Sequence, residues 1–178
     1  MNNFIFEEVP EFYRIIALEP FRRTEGVAFD IVPMDALPKI DGVDRVIHAK
    51  DALSPGSVGG VERPWYVHPN QEDNLIVLHG KRIVDIYSRA VGRMETFVVE
   101  PQRILKDGKV IFDGPAMLVW PVNVYHRIIS GPDGSASLNF AVRSKGFDVR
   151  TNFSIYDLDV TTGEHRVIRE GFKDQMMS

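Results

Sequence analysis

Between residues 65 and 142 the sequence is a series of short strand-forming runs, each closed by a turn, and few windows keep the period of a helix. The runs fall at residues 65–68, 75–78, 82–87, 96–100, 103–105, 110–112, 117–120, 125–129 and 137–142, with glycine, proline, asparagine or aspartate between them. Asp107-Gly108 between two apolar runs is a strong hairpin signal, because both central residues tolerate positive φ. Strands spaced in this way predict an all-β sandwich or barrel.

The flanks are less regular. Residues 27–32 read as a strand and 165–169 as another; residues 11–16, 43–49 and 153–158 fit either a strand or a short helix. Residues 54–62 hold three glycines and a proline and read as a loop leading into residue 64, a kind of loop that is often functional. Residues 172–178 read as a helical turn or a frayed end. A length of 178 residues with 44% hydrophobic side chains supports one domain with a real core. The expected division is an N-terminal extension over residues 1–60 packing on the barrel, a barrel core over 61–145, and a C-terminal extension over 146–178 that is available as an interface.

Charge and composition exclude several classes of function. The net charge of −4, with Arg22-Arg23 the densest basic cluster, argues against a nucleic-acid partner. No window is apolar for about 18 residues, so no membrane helix is expected. The start MNNFIFEEVPEF has no basic region ahead of an apolar one and does not read as a signal peptide, which makes a cytoplasmic location the expectation. The chain has no cysteine, so any metal must be held by nitrogen and oxygen.

Two stretches carry the chemistry. PWYVHPNQEDNLIVLHG, residues 64–80, places Tyr66 and His68 two apart on one strand face and follows them with Glu72 and Asp73. GPAMLVWPVNVYH, residues 114–126, adds His126 behind a Pro-x-Asn turn. A turn over residues 69–72 that folds the second strand beside the first would return Asp73 or Glu72 to His68. A strand after Pro121 would then set His126 opposite them. Two imidazoles and a carboxylate with open positions suit Fe, Mn, Ni or Zn.

These stretches resemble the two motifs of the cupin superfamily, G-x5-H-x-H-x3,4-E-x6-G and G-x5-P-x-G-x2-H-x3-N. His68, Asp73 and Gly80 match the first. Gly114, Pro121 and His126 match the second, with six residues rather than five before the proline. The chain departs at Tyr66, where the family has its first histidine, at Asn123, where it has glycine, and at Ser130, where it has asparagine. The resemblance, over residues 61–142, implies a double-stranded β-helix, or jelly-roll, barrel with short extensions. It also implies a small-molecule substrate and a divalent transition metal on His68, Asp73 and His126, with Glu72 as the alternative carboxylate.

Three functions follow as expectations. The preferred one is a metal-dependent, dioxygenase-like oxidoreductase. The alternatives are a metal-free sugar or sugar-nucleotide epimerase or isomerase, with His68 as base and Tyr66 as acid, and a non-catalytic barrel that binds a small ligand. Against the metal stands a plain pair of hydrogen-bonded histidines in a barrel that has lost its ion. His79 reads as a surface residue, His48 and His165 as surface or interface, Trp65, Trp120 and Phe112 as core, and Tyr125 as core or rim. Arg82, Arg127 and Arg143 are candidates to hold an anionic group of a substrate. A homodimer is expected, since partner strands often cover the edges of small barrels.

Overall fold

The β-branched and aromatic residues crowded between the turns do form strands. The computed structural model describes residues 4–176 and contains, in chain order, β1 (Ile5–Val9), β2 (Tyr13–Ala17), β3 (Glu19–Thr24), β4 (Val27–Ile31), β5 (Gly42–His48), β6 (Leu53–Ser54), β7 (Trp65–Val67) and β8 (Gln71–Ser88). There follow β9 (Arg93–Glu100), β10 (Arg103–Lys106), β11 (Lys109–Asp113), β12 (Ala116–Trp120) and β13 (Val124–Arg143). A one-turn helix α1 (Val149–Asn152), β14 (Ile155–Leu158), β15 (His165–Arg169) and a 3₁₀ turn at Gly171–Asp174 complete the described chain. The segments that fit either a strand or a helix by periodicity, near residues 11–16, 43–49 and 153–158, are strands. Residues 177 and 178, within the predicted terminal turn, lie outside the described residues.

The frame is the antiparallel pair β8 and β13, matched from Val124↔Ser88 at one end to Arg143↔Gln71 at the other. The first half of β8 pairs with β12, which pairs with β2 and then β1, while the second half of β13 pairs with β5. The other halves join a different set: β8 with β9, then β10 and β11, and β13 with β6 and β7, then β14 and β15. One long ribbon thus serves two sheets, which gives a jelly-roll barrel. The sheets face each other across an apolar core in which Ile15, Leu75 and Leu118 from one meet Val84, Phe97 and Ile104 from the other.

Both long strands bend where they pass between the sheets. The sequence suggests a strand break at Gly80 and another over residues 131–134. Instead β8 and β13 continue through, with register shifts between Ser130 and Ser135 and between Ala136 and Ser137. Gly80 has φ +67°, and a Cβ there would lie 2.1 Å from the Gly134 carbonyl oxygen. The residue is a glycine because two backbones touch at the corner, not because the strand ends there.

The Asp107-Gly108 hairpin forms as expected, with φ of 50° and 77° and Leu105 paired to Val110 on either side. Asn123 takes φ +65° in the turn between β12 and β13, so asparagine fills the position where the resembled motif has glycine. β3 and β4 form a separate two-stranded sheet with Phe21, Phe29 and Ile31 exposed. Residues 1–60 also supply β2 and β5 to the first sheet.

Gly80→Ala should cost roughly 3 kcal/mol or more, because the left-handed backbone penalty of about 1–2 kcal/mol adds to the overlap with Gly134. Gly92→Ala, with φ +71° and open space around it, should lose only about 1 kcal/mol. Urea unfolding of the two variants checks this, and equal losses would contradict the corner's role.

Candidate functional site

Register builds the site. Trp120 on β12 pairs with Asp73 on β8, and His126 on β13 pairs with Tyr66 on β7. In an antiparallel ladder directly opposed residues share a face, and the two pairs, on facing sheets, both line one cavity. His68 follows β7 by one residue, and its carbonyl accepts from Asn123 N–H at 2.9 Å, which ties the β7 exit to the turn before β13. The expected hairpin between the His68 strand and the Asp73 strand does not form. β13 lies between β7 and β8 in the sheet, so His126 is the cross-strand neighbour of Tyr66, and Asp73 approaches both imidazoles from the facing half of β8.

His68, Asp73 and His126 are all buried, and their ligating atoms lie within 4.8 Å of one another. His68 Nε2 is 3.3 Å and His126 Nε2 3.8 Å from the same oxygen, Asp73 Oδ2. The other carboxylate oxygen, Oδ1, accepts from Gln71 Nε2 and Asn139 Nδ2, both at 2.8 Å. His68 Nδ1 donates to the Asn152 carbonyl at 2.6 Å and His126 Nδ1 to the Val124 carbonyl at 3.3 Å. Since a carbonyl only accepts, these contacts place a proton on each Nδ1 and aim each Nε2 at the carboxylate. Two imidazole nitrogens and one carboxylate oxygen converging in this way need a positive charge among them, supplied by a proton or by a metal ion. The donor set fits a divalent transition metal, which His68, Asp73 and His126 would hold.

Electrostatics distinguishes the two histidines. Burial opposes charge on His68, but the Asp73 carboxylate and the Asn152 carbonyl more than offset it and raise its pKa above the ordinary value. Burial, with His68 beside it, pushes His126 down, so that ring stays neutral. Asp73 is held well below the usual carboxylate range: burial works against ionisation, and the two imidazoles outweigh it. Glu72 is not part of the cluster. It pairs with Arg14 at 2.7 Å on the other face of β8, so Asp73 is the carboxylate that faces the imidazoles.

The three side chains line a cavity of about 210 Å³ between the sheets. Tyr66 stands on its wall, with its ring 6.2 Å from that of His68 and 5.9 Å from that of His126. Burial, reinforced by Asp174, raises the Tyr66 phenol, which therefore keeps its proton. Trp120 is buried, as core residues are, yet it also lines the cavity and lies 5.0 Å from the His126 ring. A second, more open recess of about 480 Å³ along residues 56–59 and Arg169 shares Tyr66 with the cavity.

Several residues that line or support the site escaped the sequence reading. Asp44 and His48 of β5 line the cavity, so His48 is not a surface residue. The signal was present as an inverted alternation: β5 turns Asp44, Val46 and His48 inward and leaves Val43 and Ile47 exposed. Asn152 contributes through its backbone, which no side-chain pattern could reveal. Of the three arginines, Arg82 alone faces the cavity. Arg127 pairs with Asp85 at 2.9 Å above the Trp65 ring, and Arg143 bonds to Gln71 and stacks on Phe147. Trp65 and Tyr125 are buried together, Phe112 packs at the core's edge, and His79 and His165 are exposed.

No protein-family model matches the sequence, and no curated protein sequence matches it. Solved structures do match. The sugar 3,4-ketoisomerase QdtA from Thermoanaerobacterium thermosaccharolyticum, in complex with TDP, superposes with a TM-score of 0.55 at 14% identity, over 79% of this chain and 85% of that one. The fold is that of an RmlC-like cupin. Two further structures agree: WlaRA, a TDP-fucose-3,4-ketoisomerase from Campylobacter jejuni (TM-score 0.53, 13% identity, 76% and 84% covered), and the Mycobacterium tuberculosis RmlC epimerase (0.52, 11%, 76% and 64%). A mutant of QdtA is in complex with TDP-4-keto-6-deoxyglucose. This chain sets His68, Asp73 and His126 on the sheet positions described above, inside a cupin barrel.

In protein stripped of metal, His68 should titrate above 6.5 and His126 below it, as read from imidazole NMR shifts. In Asp73→Asn the carboxylate that holds the proton on His68 is gone, burial dominates, and the His68 midpoint should fall. A midpoint that stays put would contradict the pairing.

Proposed function

We propose that this cupin is a sugar isomerase or epimerase that moves a proton at the carbon next to a carbonyl. The observation that carries the reading is a polarised imidazole and a protonated phenol on one wall of the cavity. At about 210 Å³ that cavity is smaller than the pockets that take drug-sized ligands, and it suits a single sugar ring. The fold neighbours support it, being two sugar ketoisomerases and an epimerase.

His68 in its neutral form takes the proton from the carbon that bears a hydroxyl beside the carbonyl, while Tyr66 gives its proton to the carbonyl oxygen. The product is a neutral enediol. For isomerisation the phenolate takes the proton of the other hydroxyl and the imidazolium returns its own to the former carbonyl carbon. For epimerisation the phenolate takes back the proton of the former carbonyl oxygen, a proton from solvent reaches the original carbon from the opposite face, and the imidazolium gives its own to solvent. Asp73 stabilises the imidazolium throughout, and the Asn152 carbonyl fixes its orientation. The outer recess beside Tyr66 offers room for a nucleotide attached to the ring.

A second reading, a metal-dependent oxidoreductase, is favoured by the convergence of both Nε2 atoms on Asp73 Oδ2. A divalent Fe, Mn, Ni or Zn ion held by His68, Asp73 and His126 would supply Lewis-acid or oxygen chemistry at that point. We also propose that two copies associate through the apolar outer faces of the β3–β4 hairpin and β5, where Phe21, Phe29, Val43 and Ile47 are exposed. Light scattering that returns a single chain mass would exclude the dimer.

Tyr66→Phe and His68→Ala should each slow ketosugar isomerisation by about 10²–10⁴-fold, as read by product NMR. Wild-type activity should survive exhaustive chelation. Activity lost with the metal and restored by one ion would reject the isomerase mechanism in favour of the second reading.

A further inference from the structure

The cavity has two ends of different character. At the end already described, Asp44 and Asp73 surround the imidazoles, and Asp44 is itself bonded to Asn139 Nδ2 at 3.1 Å. The other end carries Arg82, whose residue is 2% exposed. Its Nε donates to Ser135 Oγ at 3.1 Å and one Nη2 proton goes to the Val46 carbonyl at 3.2 Å. Nη1 has no hydrogen-bond acceptor and the guanidinium has no carboxylate partner among the described residues. Beside it, His48 Nδ1 is buried with no partner at all.

A buried guanidinium without a counter-ion is costly, and truly buried arginines are normally paired. Two half-buried strand arginines elsewhere have an acid: Arg14 has Glu72, and Arg127 has Asp85. The shift of Arg82, down to about 10, has burial as its cause and no carboxylate opposing it. The side chain remains charged at neutral pH. Arg82 and His48 line the same cavity.

We propose that Arg82 and His48 form an anion subsite, and that the ligand of this cavity carries a carboxylate or phosphate group at that end. Arg82 Nη1 donates to the anion, and His48, in the tautomer that bears its proton on Nε2, donates alongside it. The counter-ion missing from the free protein is supplied by the ligand. If the isomerase reading holds, the substrate is then a sugar acid or a sugar phosphate rather than a neutral sugar. The anion subsite rests on that reading only for the ligand being the substrate.

Acetate and inorganic phosphate, each titrated at constant ionic strength against chloride, serve as probes, with thermal unfolding as the readout. At least one of them should raise the unfolding temperature in a saturable way. Acetate acting alone would identify a carboxylate, and phosphate acting alone a phosphate. Arg82→Gln should raise the half-saturating concentration about tenfold or more, because charge-assisted hydrogen bonds are lost. Arg82→Lys, which keeps the charge, should retain part of the response, and His48→Asn should weaken it. If neither anion stabilises the wild type beyond chloride, or if wild type and Arg82→Gln respond alike, the subsite does not exist. An Arg82-dependent response in a protein without isomerase activity would keep the subsite and reject the reaction, whereas activity on ketosugars without any anion response would do the reverse.

Discussion

The structure depends on a close contact between two backbones, where Gly80 of β8 meets Gly134 of β13. This contact lets a single antiparallel ribbon turn from one sheet into the other without breaking its ladder, so residues far apart in sequence are fixed by register. Asp73 lies before the bend on β8 and His126 before the bend on β13, and the antiparallel run carries these halves into different sheets. The cavity is the space left where the two sheets diverge beyond the apolar core, with Leu75, Trp120 and Ile128 belonging to both.

Inside that space the charges are arranged rather than merely buried. Asp73 is satisfied on one oxygen by two amide donors, which leaves the other oxygen to the imidazoles. Both Nδ1 atoms are committed to backbone carbonyls. The charge that this geometry calls for can be a proton on His68 or a metal ion, and the two choices lead to different chemistry on one scaffold. With a proton, His68 is an imidazole of raised basicity facing a phenol that holds its own proton, a pairing suited to moving a proton rather than an electron. At the opposite end Arg82 is the converse case, a positive charge without a negative one.

Much of this was legible in the sequence where a residue type has a local meaning. Asp107-Gly108 specified its hairpin because both residues accept positive φ. His68 and His126 were legible from the resemblance of their surroundings, up to Gly80 and after Pro121, to two known motifs, and Asn123 from its tolerance of the left-handed region. Legibility failed where meaning depends on the sheet. Nothing local says that β13 separates β7 from β8, or that Gly80 marks a bend rather than an end. The adjacent acids Glu72 and Asp73 could not be told apart until Arg14 was placed across the sheet to claim the first. His48 read as a surface or interface residue because no motif surrounds it, whereas β5 turns it to the cavity side together with Asp44 and Val46. The Asn152 carbonyl that orients His68 has no signature in side-chain composition.

The decisive experiment is hydrogen exchange with solvent. Chelator-treated protein would be incubated in D2O with a nucleotide-linked ketosugar whose ring is uncharged, TDP-4-keto-6-deoxyglucose, and separately with a ketosugar that carries a carboxylate, D-fructuronate, and the sugars read by NMR. Proton transfer by His68 and Tyr66 places deuterium on the carbon next to the carbonyl of at least one of them, with no metal present. Deuterium that appears only after a metal is restored, or in neither sugar, would contradict it.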